Sequence, residues 1–199
     1  MAYYPSLIEK MIASFSKFPG VGRRSAERIT FWLLTQKRED AEELAQNIIN
    51  LKEGMTFCRK CKNFSDQDIC MICRDEQRDQ SVICVVENPK DVLAIEKTGS
   101  YRGLYHVLLG NISPSEGRGP EHLQIQQLFN RLKSESIKEI VIATDPDNEG
   151  EMTALYLIKQ LKVYPLKVSR IGMGLPVGGA VEYSDMSSLS AALDARREV

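Results

Sequence analysis

Four cysteines, Cys58-x2-Cys61-x8-Cys70-x2-Cys73, have the spacing that most directly implies chemistry. Two CxxC pairs supply four thiolates, enough to close a tetrahedral zinc shell. A closed shell leaves no position for a reacting water, so such a zinc is structural and replaces the core a short segment lacks. Iron–sulfur ligation is the rival reading. Two disulfides are a further one, which a reducing compartment disfavours. The fifth cysteine, Cys84, sits inside the apolar run VICVV and reads as a buried strand thiol.

A second set of residues is acidic. Glu87 ends the run SVICVVE, Asp145 ends EIVIATD, and Asp147, Glu149 and Glu151 follow around Gly150. Parallel strands gather their C-terminal ends on one edge, where such folds bind ligands. The spacing could bring Glu87, Asp145 and Asp147 around a hard cation such as Mg²⁺. The plainer alternative is a solvated acidic loop capping a helix N-terminus. A glutamate after one strand and D-x-D after a later one resembles the Toprim domain of topoisomerases, primases and some nucleases, and DPDNEGE is close to the topoisomerase form.

The third set is basic. Phe18-Pro19-Gly20-Val21-Gly22 lies between two helical stretches and runs into Arg23, Arg24 and Arg28. Pro19 ends the first helix, and glycines at 20 and 22 permit a tight turn that a ligand can approach. Amides opening the next helix would face outward with the positive end of its dipole behind them, which suits a phosphate. Arg24 and Arg28 lie one turn apart on one face. The pattern resembles a helix-hairpin-helix, a module that grips single- or double-stranded DNA by its backbone; the alternative is a bare tight turn. Residues 1–38 hold seven Lys/Arg against two Asp/Glu, in a 199-residue chain of net charge −1. A basic N-terminal grip on an acidic body is the expectation.

These residues need elements to hold them. Residues 6–52 read as helices, with Ala41, Leu44, Ala45 and Ile48 forming an apolar stripe. From residue 81, apolar strands alternate with helices near 89–97, 121–134 and 151–161, and a short helix, SLSAALDARRE, closes the chain. The fold class expected is α/β, a parallel sheet covered on both faces. The division expected is a helix-hairpin-helix unit at 1–56, a four-cysteine finger at 57–74, a Toprim domain at 80–171 and a C-terminal segment at 172–199. No run is apolar and long enough to span a membrane, and no secretion signal is read at the start.

That order of parts resembles the RecR family of recombination mediators, as do FPGVGRRSAERITFWLL, CVVENPKDVLAIEKTGSYRGLYHVLLG and RIGMGLPVGG. The resemblance implies a non-enzymatic DNA clamp that works with RecO and RecF to load RecA at single-stranded gaps. It implies self-association, as a dimer or a tetrameric ring, and a cytoplasmic, nucleoid-associated bacterial protein. DNA contacts then fall on Gly20, Gly22, Arg23, Arg24 and Arg28. One structural zinc falls on Cys58, Cys61, Cys70 and Cys73, and partner or Mg²⁺ binding on Glu87, Asp145, Asp147, Glu149 and Glu151. The segment after Ile171 resembles the family's Walker-B-like region. GLPVGG lacks the Lys-Ser/Thr of a P-loop, so nucleotide hydrolysis is not expected. Many members have lost the D-x-D acids that this chain keeps, which leaves a Mg²⁺-dependent Toprim nuclease as the alternative.

Overall fold

The helical periodicity of the first fifty residues is realised as three helices in the computed structural model, which describes residues 4–172, 174–175 and 178–196. Helices α1 (Ser6–Phe15) and α2 (Arg23–Thr35) pack as a pair through Ile12, Ala26 and Thr30, which are buried. Helix α3 (Arg38–Gly54) buries none of its side chains, and the stripe residues Leu44 and Ile48 are 43% and 51% exposed. The chain divides into two units, Met1–Met55 and Thr56–Val199.

The second unit begins with an antiparallel hairpin, β1 (Thr56–Phe57) and β2 (Phe64–Ser65), and a single helical turn, α4 (Met71–Arg74). Then come β3 (Asp79–Val86), α5 (Pro89–Lys97), β4 (Gly103–Val107), α6 (Ile125–Ser134), β5 (Glu139–Ala143), α7 (Asn148–Leu161), β6 (Lys167–Arg170) and α8 (Met186–Asp194). The four longer strands form a parallel sheet in the order β4-β3-β5-β6. The fold is therefore the mixed α/β one expected from the pattern.

Strand alternation sorts the core into two layers. Ile83, Val85, Leu104, Ile140 and Ile142 face α6 and α7, meeting Leu128, Ala154, Leu157 and Leu161. Cys84, Val86, Tyr105 and Val107 point the other way and meet Val92 of α5 together with Cys58, Cys61, Cys70 and Ile72. The cysteine-bearing segment thus serves as a lid on the second face of the sheet.

Two elements differ from the periodicity. The helix expected near 121–134 is split into a 3-10 turn, Pro120–His122, and α6 from Ile125. Between them the Gln124 amide bonds back to the Leu108 carbonyl at 3.0 Å, which pulls the chain out of helical geometry. Helix α7 starts at Asn148, three residues early, because Asp147 caps it by accepting from the Gly150 amide at 2.7 Å. Met173, Pro176 and Val177 of RIGMGLPVGG, and Arg197–Val199, lie outside the described residues.

Candidate nucleic-acid interface and metal centre

The four cysteines converge. Their sulfurs all lie within 4.8 Å of one another, and Cys61 and Cys70 are 3.5 Å apart. A tetrahedral zinc with bonds of about 2.3 Å sets sulfurs about 3.8 Å apart, so the cluster fits one ion. The first CxxC is a tight knuckle: Cys58 N–H bonds to Asn63 O at 2.8 Å, Lys62 N–H to Cys58 O at 3.0 Å, and Lys62 takes a left-handed φ of 65°. Backbone amides also point at sulfur, Cys70 N–H to Cys58 Sγ at 3.3 Å and Asn63 N–H to Cys61 Sγ at 3.5 Å. Amides so aimed stabilise thiolates and orient them as ligands. Contact with Cys61 and Cys70, together with burial, pushes the Cys73 thiol up, and contact with Cys70 pushes Cys61 up. A divalent cation held there would displace the shared thiol protons and take the four sulfurs as ligands. Cys84 stands apart from this group; it is a buried strand thiol, pushed up to about 12 by desolvation.

The finger is tied to the sheet by bonds that its own spacing does not announce. Val107 donates its amide to the Cys61 carbonyl at 2.8 Å. Lys60 pairs with Glu135 at 3.5 Å, and Glu135 pairs with the buried Arg131, which donates to the Tyr105 carbonyl at 2.7 Å. His106 is fully buried and donates to the Gln124 carbonyl at 2.8 Å.

In the N-terminal unit the turn is built by Gly20, whose φ of +77° lies in the left-handed region, and by the Val21 amide bonding to Phe18 O at 3.0 Å. The ladder of α2 opens with Ala26 N–H to Gly22 O at 3.0 Å, so the amides of Arg23, Arg24 and Ser25 precede it. A side chain at Gly22 would meet no atom within 4 Å, which leaves the approach open. The arginines are not equivalent. Arg23 bridges Glu9 of α1 at 3.1 Å and Glu27 at 3.3 Å. Arg24 and Arg28 are exposed and have no ion pair among the described residues.

The five acids meet at one sheet edge but not around one point. Glu87 is 1% exposed; Oε1 accepts the Asp145 amide at 3.0 Å and Oε2 accepts the Asn111 side-chain amide at 2.9 Å. Burial raises its pKa, and the two donors oppose that rise. Asp147 is spent on the α7 cap, and Glu151 is held by both terminal nitrogens of Arg170, at 3.0 and 2.8 Å. Among the described residues, the four cysteines are the only group of three or more His, Cys, Asp or Glu placed to hold a metal. Of the three acids expected to hold Mg²⁺, Glu87 and Asp147 each accept hydrogen bonds from the fold. Asp145 remains, with Thr144, Pro146 and Asp91, on a cleft of about 560 Å³ that α8 lines with Ser187 and Ser188.

Asn111 and Arg118 were not legible as site residues. Arg118 donates to Asn111 Oδ1 at 3.0 Å, which fixes the amide that holds Glu87. Asn111 is 24 positions from Glu87 and lies in a loop, so no local spacing announces it.

Fold and site together define a Toprim-type protein carrying a four-cysteine zinc finger and a helix-hairpin-helix. Residues 81–172 match the Toprim domain family. Residues 8–52 match the RecR helix-hairpin-helix, 55–75 the RecR four-cysteine zinc finger domain, and 174–197 the RecR C-terminal region. The chain belongs to the RecR family, with a role as a recombination repair mediator. No helix among the described residues is long and apolar enough to cross a membrane.

Proposed function

We propose that the protein is a non-catalytic DNA clamp that acts with RecO and RecF to promote RecA loading at single-stranded gaps. The observation that carries this reading is the outward pair Arg24 and Arg28 beside the open α2 amides. Phosphate is the group that such amides and unpaired guanidiniums attract together. Gly20 and Gly22 shape the turn, and Arg23 steadies it through Glu9. Contacts of this kind are blind to sequence, as a gap-loading factor requires.

Self-association has a physical motive in α3. An amphipathic helix that buries nothing leaves Leu44 and Ile48 in water, at roughly 25 cal/mol per Å² of apolar surface. A second copy of the chain covers that stripe in this reading, giving a dimer or a ring. The acidic edge serves protein partners in the same reading. The division into units at 1–56, 57–74, 80–171 and 172–199, and a cytoplasmic, nucleoid-associated location, belong to the same reading.

The Toprim nuclease is the competing function. Incubating pure protein and Mg²⁺ or Mn²⁺ with labelled single-stranded, gapped and duplex DNA separates the two. Retarded but intact DNA is the expected result; cleavage lost in Asp145→Asn would establish the enzyme instead.

A further inference from the structure

A groove of about 630 Å³ runs between the cysteine-bearing segment and α5. Ile72 and Val92 form its buried floor. Phe64, Met71 and Leu93 form walls that are 55%, 77% and 57% exposed. The cysteine-bearing segment and α5 both pack against the same face of the sheet. Its volume is that of a site for a few side chains.

The polar groups around it are arranged unevenly. The acids on the rim are already used: Glu96 is bound by Arg78 and by the Tyr105 hydroxyl, and Asp75 accepts from the Gln77 amide at 3.0 Å. Two cations have no carboxylate partner among the described residues: Lys90, which lines the groove, and Arg74 of α4, whose guanidinium donates to Gln67 Oε1; both are exposed. The Arg78 side chain lines the same groove, is 9% exposed, and its Nε faces the Asp75 carboxylate at 3.6 Å.

We propose that this groove is a docking site for a partner protein's peptide segment that alternates apolar and acidic residues. Apolar side chains occupy the floor between Met71, Phe64 and Leu93, and a carboxylate meets Lys90 and Arg74. The site is independent of the DNA-binding reading, since it shares no residue with it.

The test uses the full-length zinc-loaded protein and two fluorescently tagged peptide pools. One pool alternates Leu, Ile or Phe with Asp or Glu; the other carries Lys in place of the acids. The acidic pool is expected to raise anisotropy and the basic pool is not. Because Met71 and Leu93 are exposed, Met71→Ser with Leu93→Ser should leave the fold intact and weaken binding about tenfold or more, as loss of two anchors implies. Lys90→Glu with Arg74→Glu should reverse the preference between the pools. Binding of neither pool would overturn the proposal. So would equal binding of both, or wall variants that alter solution mass alone, which would mark the groove as a contact between copies of the chain.

Discussion

Glu87 and Asp145, 58 positions apart, are joined by a single 3.0 Å bond from the Asp145 amide to the buried Glu87 carboxylate. The second acid of the family-like pattern is thus positioned by the first. Gly150 makes the arrangement possible: a Cβ there would lie 2.0 Å from the Asp145 carbonyl oxygen and 2.8 Å from Glu87 Oε1. The glycine of DPDNEGE is where the start of α7 crosses directly over the two acids.

Gly150→Ala should therefore be disproportionately harmful for so small a change, costing about 2 kcal/mol or more because backbone must move. Glu87→Gln should cost about 1–3 kcal/mol, since its amide would face the Asn111 amide, donor to donor. Arg118 holds Asn111 and prevents a compensating flip. Denaturant titration of both variants checks this; unchanged midpoints would show that the edge is not a locked structure.

At the hairpin, Arg24→Glu with Arg28→Glu should weaken binding to every DNA tested. Neutral replacements, Arg24→Gln with Arg28→Gln, should reduce the slope of log affinity against log salt by about 2, one for each phosphate no longer neutralised. Arg23→Gln should do less to the slope, because Arg23 is already committed to Glu9 and Glu27. Affinity measured over a salt series distinguishes the three arginines.

Metal analysis should return about one zinc per chain. Cys70→Ser should lose it and lower the melting temperature by roughly 10 °C, equivalent to about 3 kcal/mol or more. The effect should reach the sheet as well as the finger, because Cys58, Cys61 and Cys70 form part of the layer against Tyr105 and Val107. Amide exchange at Val107, whose N–H bonds to the Cys61 carbonyl, reads that coupling directly.

His106 gives the fold an acid-sensitive point. Burial, with Arg131 nearby, depresses its pKa from 6.5 to about 3. The unfolded chain takes up a proton near the upper value, while the folded chain resists until the lower one. Stability from this group is therefore complete above about pH 6.5 and lost as pH falls toward 3, to a limit on the order of 4 kcal/mol. Urea unfolding between neutral pH and about pH 4 should show the loss, with a shallower pH slope in His106→Leu.

Replacing Leu44 and Ile48 with lysine should cost little folding stability, since neither is buried, yet should reduce solution mass. Unchanged mass would mean that copies of the chain meet elsewhere.

Much of this protein was legible without coordinates wherever function depends on neighbours in the chain. A CxxC pair, a Gly-Val-Gly turn followed by arginines, and apolar runs alternating with helices are local patterns. Short-range sterics, ligand number and strand alternation tie them to one outcome each. The same patterns could not say which charges are free. Arg23, Arg24 and Arg28 look alike in one dimension, and only packing of α1 against α2 brings Glu9 to Arg23. Glu87, Asp145 and Asp147 look like one ion cage; the loop carrying Asn111 and the cap of α7 spend two of them on structure. Which polar groups remain unsatisfied depends on residues brought together from far apart in sequence, and that tertiary geometry also created the groove between the finger and α5.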